Sequence, residues 1–241
     1  MTRRNRAAII NVVGLTSRLI GPNTPRLLAA AEYGGLIRVK PVEPAVTCTM
    51  QATYLTGLPP SGHGVVANGW YNRELAEHDF WKQSNHLVHG KKLWEKLRCE
   101  QPGVTCANLF WWFNMYSSVE YSITPRPLYL ADGRKVFDIH SFPPGVRGAV
   151  QTELGPFPFP AFWGPAAGSK GKFAPDEVSR WIAESAKWIE RKYHPTLSLI
   201  YLPHLDYNLQ RLGPAHAEIH KDYARIDDIV GDLITFSKAR R

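Results

Sequence analysis

Short apolar runs alternate with amphipathic stretches along this chain, and this alternation restricts the fold more than any other feature. Ala7 to Val13 and Thr196 to Leu202 are runs of the kind found in strands that are buried on both faces. His216 to Lys238 instead repeats its apolar residues at intervals of three and four, which is the period of a helix. The alternation predicts the α/β class, with a mainly parallel sheet flanked by helices.

Capping residues, chain breakers and further apolar runs predict the other elements. Asn23-Thr24-Pro25 is typical of a helix start, and this helix is expected to stop at Gly34-Gly35. We expect further strands over Leu36 to Pro41, Gly64 to Tyr71 and Val104 to Phe110, and helices over Val88 to Cys99 and from Ala174-Pro175-Asp176 onward. Since ligands bind at the carboxyl ends of parallel strands, the loops after the strands are where a site is expected.

Residues 111 to 171 interrupt the pattern with proline, glycine and aromatic residues. The segment is too long for an ordinary loop, so we expect a cap-like insertion with short strands. Its aromatic clusters, Trp111-Trp112 and Phe157 to Trp163, suit packing within the insertion, with stacking on a nucleobase as the alternative.

The chain ends on a helix of the kind that leads into a further strand. We therefore interpret residues 1–241 as a single α/β domain that is incomplete, or truncated, at its C-terminus. The inner stripe of that helix, with Ile226, Val230 and Leu233, is then expected to be under-covered, and exposed apolar surface favours self-association.

Composition and charge argue against several classes of protein. Charged residues make up 21% of the chain, and no long charge-free apolar run is present, so we expect a soluble protein without a membrane partner. The formal charge of +8 comes partly from the two ends of the chain, and without a basic helix we expect no nucleic-acid partner. Cys48, Cys99 and Cys106 have no paired spacing, which is typical of reduced thiols and indicates a cytoplasmic location.

The stretch from Pro44 to Trp70 is rich in small hydroxyl and amide residues, which indicates an active-site loop. Thr47 follows Val42 to Val46, where we expect a strand to end, and Thr49 to Leu55 has the length of two helical turns. A hydroxyl at a helix start lies beside free backbone N–H groups and the positive end of the helix dipole. This arrangement suits a phosphate.

The spacing in this stretch resembles the nucleotide pyrophosphatase/phosphodiesterase family of the alkaline phosphatase superfamily. The family pattern of Thr, Thr-Gly, Pro-x-x-His-Gly and Asn corresponds here to Thr47, Thr56-Gly57, Pro60 to Gly64 and Asn68. The resemblance implies an alkaline-phosphatase-like fold and a small-molecule phosphate ester or nucleotide as substrate. It also implies catalytic roles, with Thr47 as the nucleophile and Asn68 as a donor to the phosphoryl oxygen. The alternative roles are a helix N-cap for Thr47 and a turn residue for Asn68.

The same resemblance implies two zinc ions held by six Asp or His residues. Asp206, after a later strand, matches one of these metal ligands. Val13 stands where the family has an Asp, and Gln210 stands where it has a His, and neither is a good zinc ligand. His204 and His216 are close enough in sequence to substitute, although a surface position or a supporting role outside the metal ligands is the favoured interpretation of each. The other three ligands would follow residue 241, so we expect this chain to hold zinc weakly.

Two other residues near Thr47 in the sequence have side chains that could act in catalysis. His63 suggests a catalytic base, although the resemblance implies a structural role for this His-Gly pair. Cys48 suggests a thiol nucleophile, although no His or Asn is spaced to assist it, and a small core residue is the other interpretation.

Two functions therefore compete. The first is a phosphoric-ester hydrolase of the nucleotide pyrophosphatase/phosphodiesterase type, impaired in this chain because metal ligands are missing. The alternative is a catalytically degenerate protein of the same fold that binds phosphate esters without cleaving them. In both cases we expect Thr47, Asn68 and Asp206 to lie at one edge of the sheet.

Overall fold

The computed structural model describes residues 6–162, 174 and 176–240, apart from the side chains of residues 127–129 and 135. Its strands are β1 (Ala7–Val12), β2 (Gly69–Asn72), β3 (Glu77–Phe80), β4 (Cys106–Leu109), β5 (Tyr121–Tyr129), β6 (Lys135–Phe142) and β7 (Leu197–Leu202). Its α-helices are α1 (Pro25–Gly34), α2 (Thr47–Thr56), α3 (Pro60–His63), α4 (Leu93–Glu100), α5 (Gly145–Leu154), α6 (Glu177–Tyr193), α7 (His204–Leu212) and α8 (Ile219–Lys238). Short 3₁₀ helices lie at Ser17–Leu19, Asn85–Leu87 and Phe159–Ala161.

The main sheet has five strands in the order β1-β7-β4-β5-β6. The pairs β1–β7, β7–β4 and β4–β5 are parallel, and β6 is antiparallel to β5. A separate antiparallel pair consists of β2 and β3. The mainly parallel sheet flanked by helices confirms the predicted fold class. Because β1, β7 and β4 run in the same direction, the loops that follow them meet at one edge of the sheet.

Helices cover both faces of this sheet. Ile10 and Ile200 line the same cavity as Leu233, so α8 lies over their face. Alternate residues of a strand point to the opposite face, and there the side chain of Asn11 bonds to Gln51 of α2. The first helix of the suspected active-site loop is therefore packed on the other side of the sheet from α8.

The helix of the C-terminal segment forms as its sequence period predicts, but its inner stripe is covered. Ile226, Val230 and Leu233 are only 0%, 5% and 3% exposed. The expectation that these residues are under-covered is wrong, because α8 packs against α1, α6 and α7.

Residues 35–46 form neither a strand nor a helix, so the strands predicted over Leu36 to Pro41 and up to Val46 are wrong. Leu36, Ile37 and Val39 are exposed instead. Their apolar character favoured a strand, but strand preference depends on a neighbouring strand and a face to bury, and this segment has neither. The strand expected from Gly64 to Tyr71 is also shorter, since β2 includes only its last residues.

The described part of residues 111 to 171 adds to the main sheet through β5 and β6. The ring of Phe157 packs 4.9 Å from that of Phe110 and 5.2 Å from that of Trp181, measured between centroids, in the main hydrophobic core. Trp163 and the rest of this segment to residue 171 lie outside the described residues. The cap-like insertion and the single-domain boundaries stay predictions.

Candidate active site

Thr47 is the first residue of α2, and it follows a loop rather than a strand. The residue before it, Val46, is extended (φ −105°, ψ 162°) and has no side chain that can cap the helix. The N–H groups of the first turn of α2 therefore need partners from elsewhere in the protein. Thr47 is half-buried, so its hydroxyl lies at the edge of the protein interior.

Asn68 provides one of those partners. The backbone N–H of Cys48 donates to Asn68 Oδ1 over 3.0 Å. Because a backbone N–H can only donate, this bond assigns the oxygen of the amide to the α2 side and leaves Nδ2 as the donor. The backbone oxygen of Asn68 in turn accepts from the N–H of Trp81 at 3.0 Å, which fixes the loop. The amide of Asn68 is thus oriented with its oxygen toward the start of α2 and its N–H groups on the other side.

The side chain of Tyr201, near the end of β7, interacts with those of Trp112 and Thr47, and the charge of Asp206 acts on it. Burial raises the pKa of Tyr201 above its ordinary value, and the negative charge of Asp206 adds to this, while contact with Trp112 and Thr47 lowers it. Tyr201 is 1% exposed and Trp112 5% exposed, yet neither Tyr201 Oη nor Trp112 Nε1 has a hydrogen bond of ordinary geometry within the described residues. Close contact without good bond geometry indicates a compact polar group beside Thr47.

Gln51, one turn after Thr47 on α2, connects α2 to the main sheet and to Trp112 through two hydrogen bonds. Its Nε2 donates to Asn11 Oδ1 at 2.8 Å, and its Oε1 accepts from the backbone N–H of Trp112 at 2.8 Å. The residues on either side of the tryptophan pair, Phe110 (φ 65°) and Phe113 (φ 59°), have left-handed backbone angles, which are unusual for bulky side chains. Such strain persists only where surrounding contacts impose it, and here these contacts fix the position of Trp112.

Asp206 lies in the first turn of α7, beside the loop that follows β1. A Cβ built on Gly14 would lie 3.6 Å from the Cα of Asp206, so the loop of Val13-Gly14 and the start of α7 are in close contact. Gln210 Nε2 donates to Asp206 Oδ2 at 2.6 Å. Burial raises the pKa of Asp206, while the bond from Gln210 lowers it, and the net effect is a raised pKa.

These positions do not fit a two-zinc centre. Asp206 is the one residue among them of a type that zinc prefers. The side-chain amide of Gln210 donates a hydrogen bond to its carboxylate, and the side chain of Val13 is apolar. Within the part of the chain that the structure describes, no group of three or more His, Cys, Asp or Glu residues is placed to hold a metal ion. The substitutions at Val13 and Gln210 are thus not compensated by nearby ligands in the described residues.

The histidines that could have substituted lie elsewhere. His204 is fully buried, its backbone N–H donates to Ser179 Oγ on α6 at 3.3 Å, and burial lowers its pKa to about 4 despite nearby Asp176. His216 is exposed, and its Nδ1 accepts from the backbone N–H of Glu218. Neither residue is placed by these contacts beside Asp206.

His63 and Cys48 also lack the contacts that catalysis would need. His63 Nδ1 accepts from the N–H of Val65 at 3.1 Å, so the proton lies on Nε2, which faces Thr53 Oγ1 at 2.9 Å. Both ring nitrogens are therefore occupied within the α2–α3 region. Burial raises the pKa of Cys48 well above its usual range, which keeps the thiol neutral and unreactive.

The structure brings Thr47, Asn68 and Asp206 to the same end of the sheet, although their catalytic and metal-binding roles stay predictions. Sequence reasoning missed Tyr201 and Gln51, and it assigned Trp112 to the insertion or to a nucleobase rather than to a place near Thr47. Gln51 is one helical turn from Thr47, and this spacing could have placed it on the same side of α2. No local signal joins Tyr201 to Thr47, because their contact depends on β7 lying beside β1.

Comparisons with known proteins identify a family and several solved structures of similar fold. The type I phosphodiesterase / nucleotide pyrophosphatase family matches residues 7–241. Phosphonoacetate hydrolase from Sinorhizobium meliloti 1021, solved with phosphonoformate, has a TM-score of 0.64 and 16% identity, covering 97% of this chain and 54% of that one. Murine ectonucleotide pyrophosphatase/phosphodiesterase 5, solved as an inactive variant with AMP, has a TM-score of 0.60 and 14% identity, covering 98% and 53%.

The human form of ectonucleotide pyrophosphatase/phosphodiesterase 5 is similar at a TM-score of 0.57 and 16% identity, covering 98% of this chain and 53% of that one. No curated protein matches the sequence. The chain spans about half the length of these solved structures. Among the described residues, no helix is long and apolar enough to cross a membrane.

Proposed function

This chain belongs to the type I phosphodiesterase / nucleotide pyrophosphatase family, and we propose that it binds the phosphate or phosphonate group of a small-molecule ester beside Thr47 and Asn68. We further propose that the 241-residue chain turns such esters over slowly or not at all. The observation that carries the proposal is the bond from the Cys48 N–H to Asn68 Oδ1, because it occupies the amide oxygen on the α2 side and leaves Nδ2 of Asn68 as the donor for a ligand. An anion at that place would meet the amide, the Thr47 hydroxyl and the positive end of the helix dipole.

Slow turnover follows from what surrounds the Thr47 hydroxyl. A hydroxyl attacks phosphorus efficiently only when a base or a metal removes its proton and positive groups stabilise the charge of the transition state. Both ring nitrogens of His63 are engaged by Thr53 and Val65, and Cys48 is a neutral buried thiol. Val13 and Gln210 do not supply zinc ligands, and the described residues contain no group of three or more metal ligands. A metal that would activate the hydroxyl therefore has no site among them.

The class of ligand is proposed from the family and the fold. The relatives of similar fold were solved with phosphonoformate and with AMP, each of which carries a phosphorus-centred anion. A small phosphate ester, phosphonate or nucleotide therefore suits the site better than a nucleic acid or a membrane.

A second candidate is the hydrolase itself, with Thr47 as nucleophile, Asn68 as donor to the phosphoryl oxygen and Asp206 as one of the ligands of two zinc ions. The effect of both Asp206 and Thr47 on Tyr201 supports it. The residues at positions 13 and 210 argue against it.

Binding and hydrolysis measured on the same purified chain test the proposal. Calorimetric titration with AMP and with phosphonoformate should detect binding, and Asn68→Ala should weaken it by roughly 10- to 100-fold, the value of a hydrogen bond to a charged group. Asn23→Ala, at an exposed position outside the site, is the matched control. Absence of binding would contradict the proposal, and zinc-dependent release of nitrophenol from bis(4-nitrophenyl) phosphate, abolished by Thr47→Ala, would favour the hydrolase.

Two further expectations belong with this proposal. Self-association is proposed because β1 is an edge strand and Ile9, Ile37 and Val39 are exposed, and sedimentation velocity over a range of concentrations checks it. A cytoplasmic location stays a prediction, based on the free thiols of the described cysteines. Fractionation of the producing cells tests it.

A further inference from the structure

The first strand of the chain leaves one edge of the main sheet free. β1 stands at the end of the order β1-β7-β4-β5-β6, and among the described residues its strand neighbour is β7. The N–H groups of Ala7 and Val13 donate to carbonyl oxygens at the two ends of β7, over 2.9 and 3.2 Å. Because backbone groups alternate between the two sides of a strand, those of Ala8 and Ile10 point to the free edge. Such an edge is a template for a further strand.

A large cavity lies beside this edge, between the sheet and helices α6 and α8. Its volume is about 1310 Å³, more than the roughly 300–1,000 Å³ of a typical small-ligand pocket. Apolar side chains of β1, β7 and α8 line it, namely Ala8, Ile10, Ile200, Ile234 and Phe236. A cavity of this size and lining, next to free backbone groups, suits several side chains of a polypeptide better than one small molecule.

The rim of this cavity is positively charged. Among the described residues that line it, the charged ones are Arg6, Lys187, Glu190, Lys238 and Arg240. Arg6 pairs with Glu190, so the carboxylate is already neutralised. Lys238 Nζ lies 5.1 Å from the ring centroid of Tyr33, and Arg240 Cζ lies 4.9 Å from that of Phe236. A cation over an aromatic ring keeps its charge, so this rim attracts acidic groups.

The free edge of β1 and the cavity together form what we call the β1 groove. We propose that this groove receives an extended segment of a partner polypeptide in which apolar side chains alternate with others and acidic residues follow at one end. The segment adds to β1 as a strand, and its backbone bonds to Ala8 and Ile10. Its apolar side chains enter the cavity beneath α8, and its carboxylates meet Lys238 and Arg240.

Charge favours this partner over a second copy of the chain. Each copy has a formal charge of +8, and pairing of two β1 edges would bring two positive rims together. Like charges across an interface suppress association, whereas an acidic segment offers the complementary charge. Self-association through the same edge is therefore the competing outcome.

Fluorescence anisotropy with labelled peptides of about ten residues, the upper length of common strands, tests the inference. The probe alternates valine and threonine and has glutamates at one end. One control peptide has lysines in place of the glutamates, and another has a proline at a central threonine, which removes a backbone donor. The acidic peptide should bind at least about 10-fold more tightly than either control. Its affinity should fall with added salt.

A double variant, Lys238→Gln with Arg240→Gln, tests the rim. It should weaken binding of the acidic peptide about 3- to 10-fold, since exposed ion pairs contribute modestly. It should leave binding of a peptide with glutamines in place of the glutamates unchanged, and this second peptide shows that the variant is folded. Arg134→Gln, at an exposed position next to the opposite edge strand β6, is the matched control.

Amide hydrogen exchange locates the bound peptide. The N–H groups of Ala8 and Ile10 should become protected, and those of β6 should not change. Equal binding of the acidic and lysine peptides, binding that leaves Ala8 and Ile10 unprotected, or no binding at about 1 mM peptide would overturn the inference. A dimer in sedimentation velocity that the acidic peptide does not dissociate would also overturn it, because a second copy would then occupy the edge. Dissociation of such a dimer by the acidic peptide would support it.

Discussion

The two sides of the candidate site are built from different kinds of groups. We call Thr47, the N–H of Cys48 and Asn68 the phosphate side, and Val13, Asp206 and Gln210 the metal side. The phosphate side has an ordered bond from Cys48 to Asn68, and its donors are neutral. The metal side has one carboxylate that bonds to an amide, next to an apolar residue. Neutral donors at a helix start can hold an anion without a metal, so we propose that the phosphate side does not depend on the metal side for binding.

Installing the family's ligands on the metal side should have the largest effect. Val13→Asp together with Gln210→His would give three candidate ligands where Asp206 is now alone, and the present contacts of Gly14 and Gln210 with Asp206 place them within reach. We expect zinc affinity to rise at least about 100-fold, because carboxylate and imidazole are the ligands that zinc prefers.

Competition with a zinc-sensitive dye measures this affinity, and each single substitution serves as a control. If the double variant binds zinc no better than the parent chain, the two positions do not limit metal binding. The contrast between the two sides would then have another cause.

The second largest effect is expected when the hydrogen-bond donor on the phosphate side is replaced by a charged acceptor. In Asn68→Asp the bond from the Cys48 N–H is retained, but a carboxylate replaces the amide donor. We expect AMP affinity to fall by roughly 100-fold, more than in Asn68→Ala, because a lost bond to a charged group is joined by repulsion between like charges. Calorimetric titration compares the variants. A smaller loss in the aspartate variant than in the alanine variant would show that Asn68 does not face the anion.

His204, which follows β7, should affect stability rather than metal binding. Its pKa is about 4 in the folded chain, against an ordinary value of 6.5, because burial disfavours the charged ring. Below pH 6.5 the unfolded chain takes up a proton that folded His204 does not, so its contribution to stability is present above pH 6.5 and is lost as the pH falls toward 4. The loss is about 3 kcal/mol from the shift in pKa.

Urea unfolding at pH 7 and pH 4 checks this effect. His204→Asn should lose less stability over this range than the parent chain by about that amount, and His216→Asn, at an exposed site, should change nothing. A parent chain and His204 variant with the same pH dependence would show that the ring is not held neutral.

The smallest effect is expected at Cys48. Burial raises its pKa, so alkylation by iodoacetamide at pH 8 should modify Cys99, which is exposed, and leave Cys48 and the buried Cys106 largely unmodified. Cys48→Ala should change AMP affinity by less than about 3-fold, since the backbone N–H that holds Asn68 is retained. Mass spectrometry of peptides measures the alkylation. Rapid loss of AMP binding on alkylation of Cys48 would contradict the neutral-thiol interpretation.

Local sequence patterns predicted those helices and strands that depend mainly on the residues within them. The Ala7 to Val13 run, the Asn23-Thr24-Pro25 start and the period of the C-terminal segment gave β1, α1 and α8 near their observed positions. Leu36 to Pro41 has the same apolar character but remains a loop, since a strand also needs a partner that its own residues do not specify.

The same limit applies to the site. Thr47 and Asn68 are near each other in sequence and carry a spacing that could be recognised. Tyr201 comes near Thr47, and Trp112 near Gln51, only because β7 lies between β1 and β4, an order of strands that the linear sequence does not show. The polarity of the Asn68 amide likewise depends on the backbone N–H of Cys48, which the sequence does not orient.

The central claim is that the phosphate side binds an anion without help from the metal side. The most direct test is the affinity for AMP of the purified 241-residue chain, measured by calorimetry after exhaustive treatment with a chelator and again after addition of zinc, with bound zinc counted by atomic emission. The account predicts the same affinity in both states and far less than one zinc per chain. Binding that appears only with zinc, at one or two ions per chain, would contradict it.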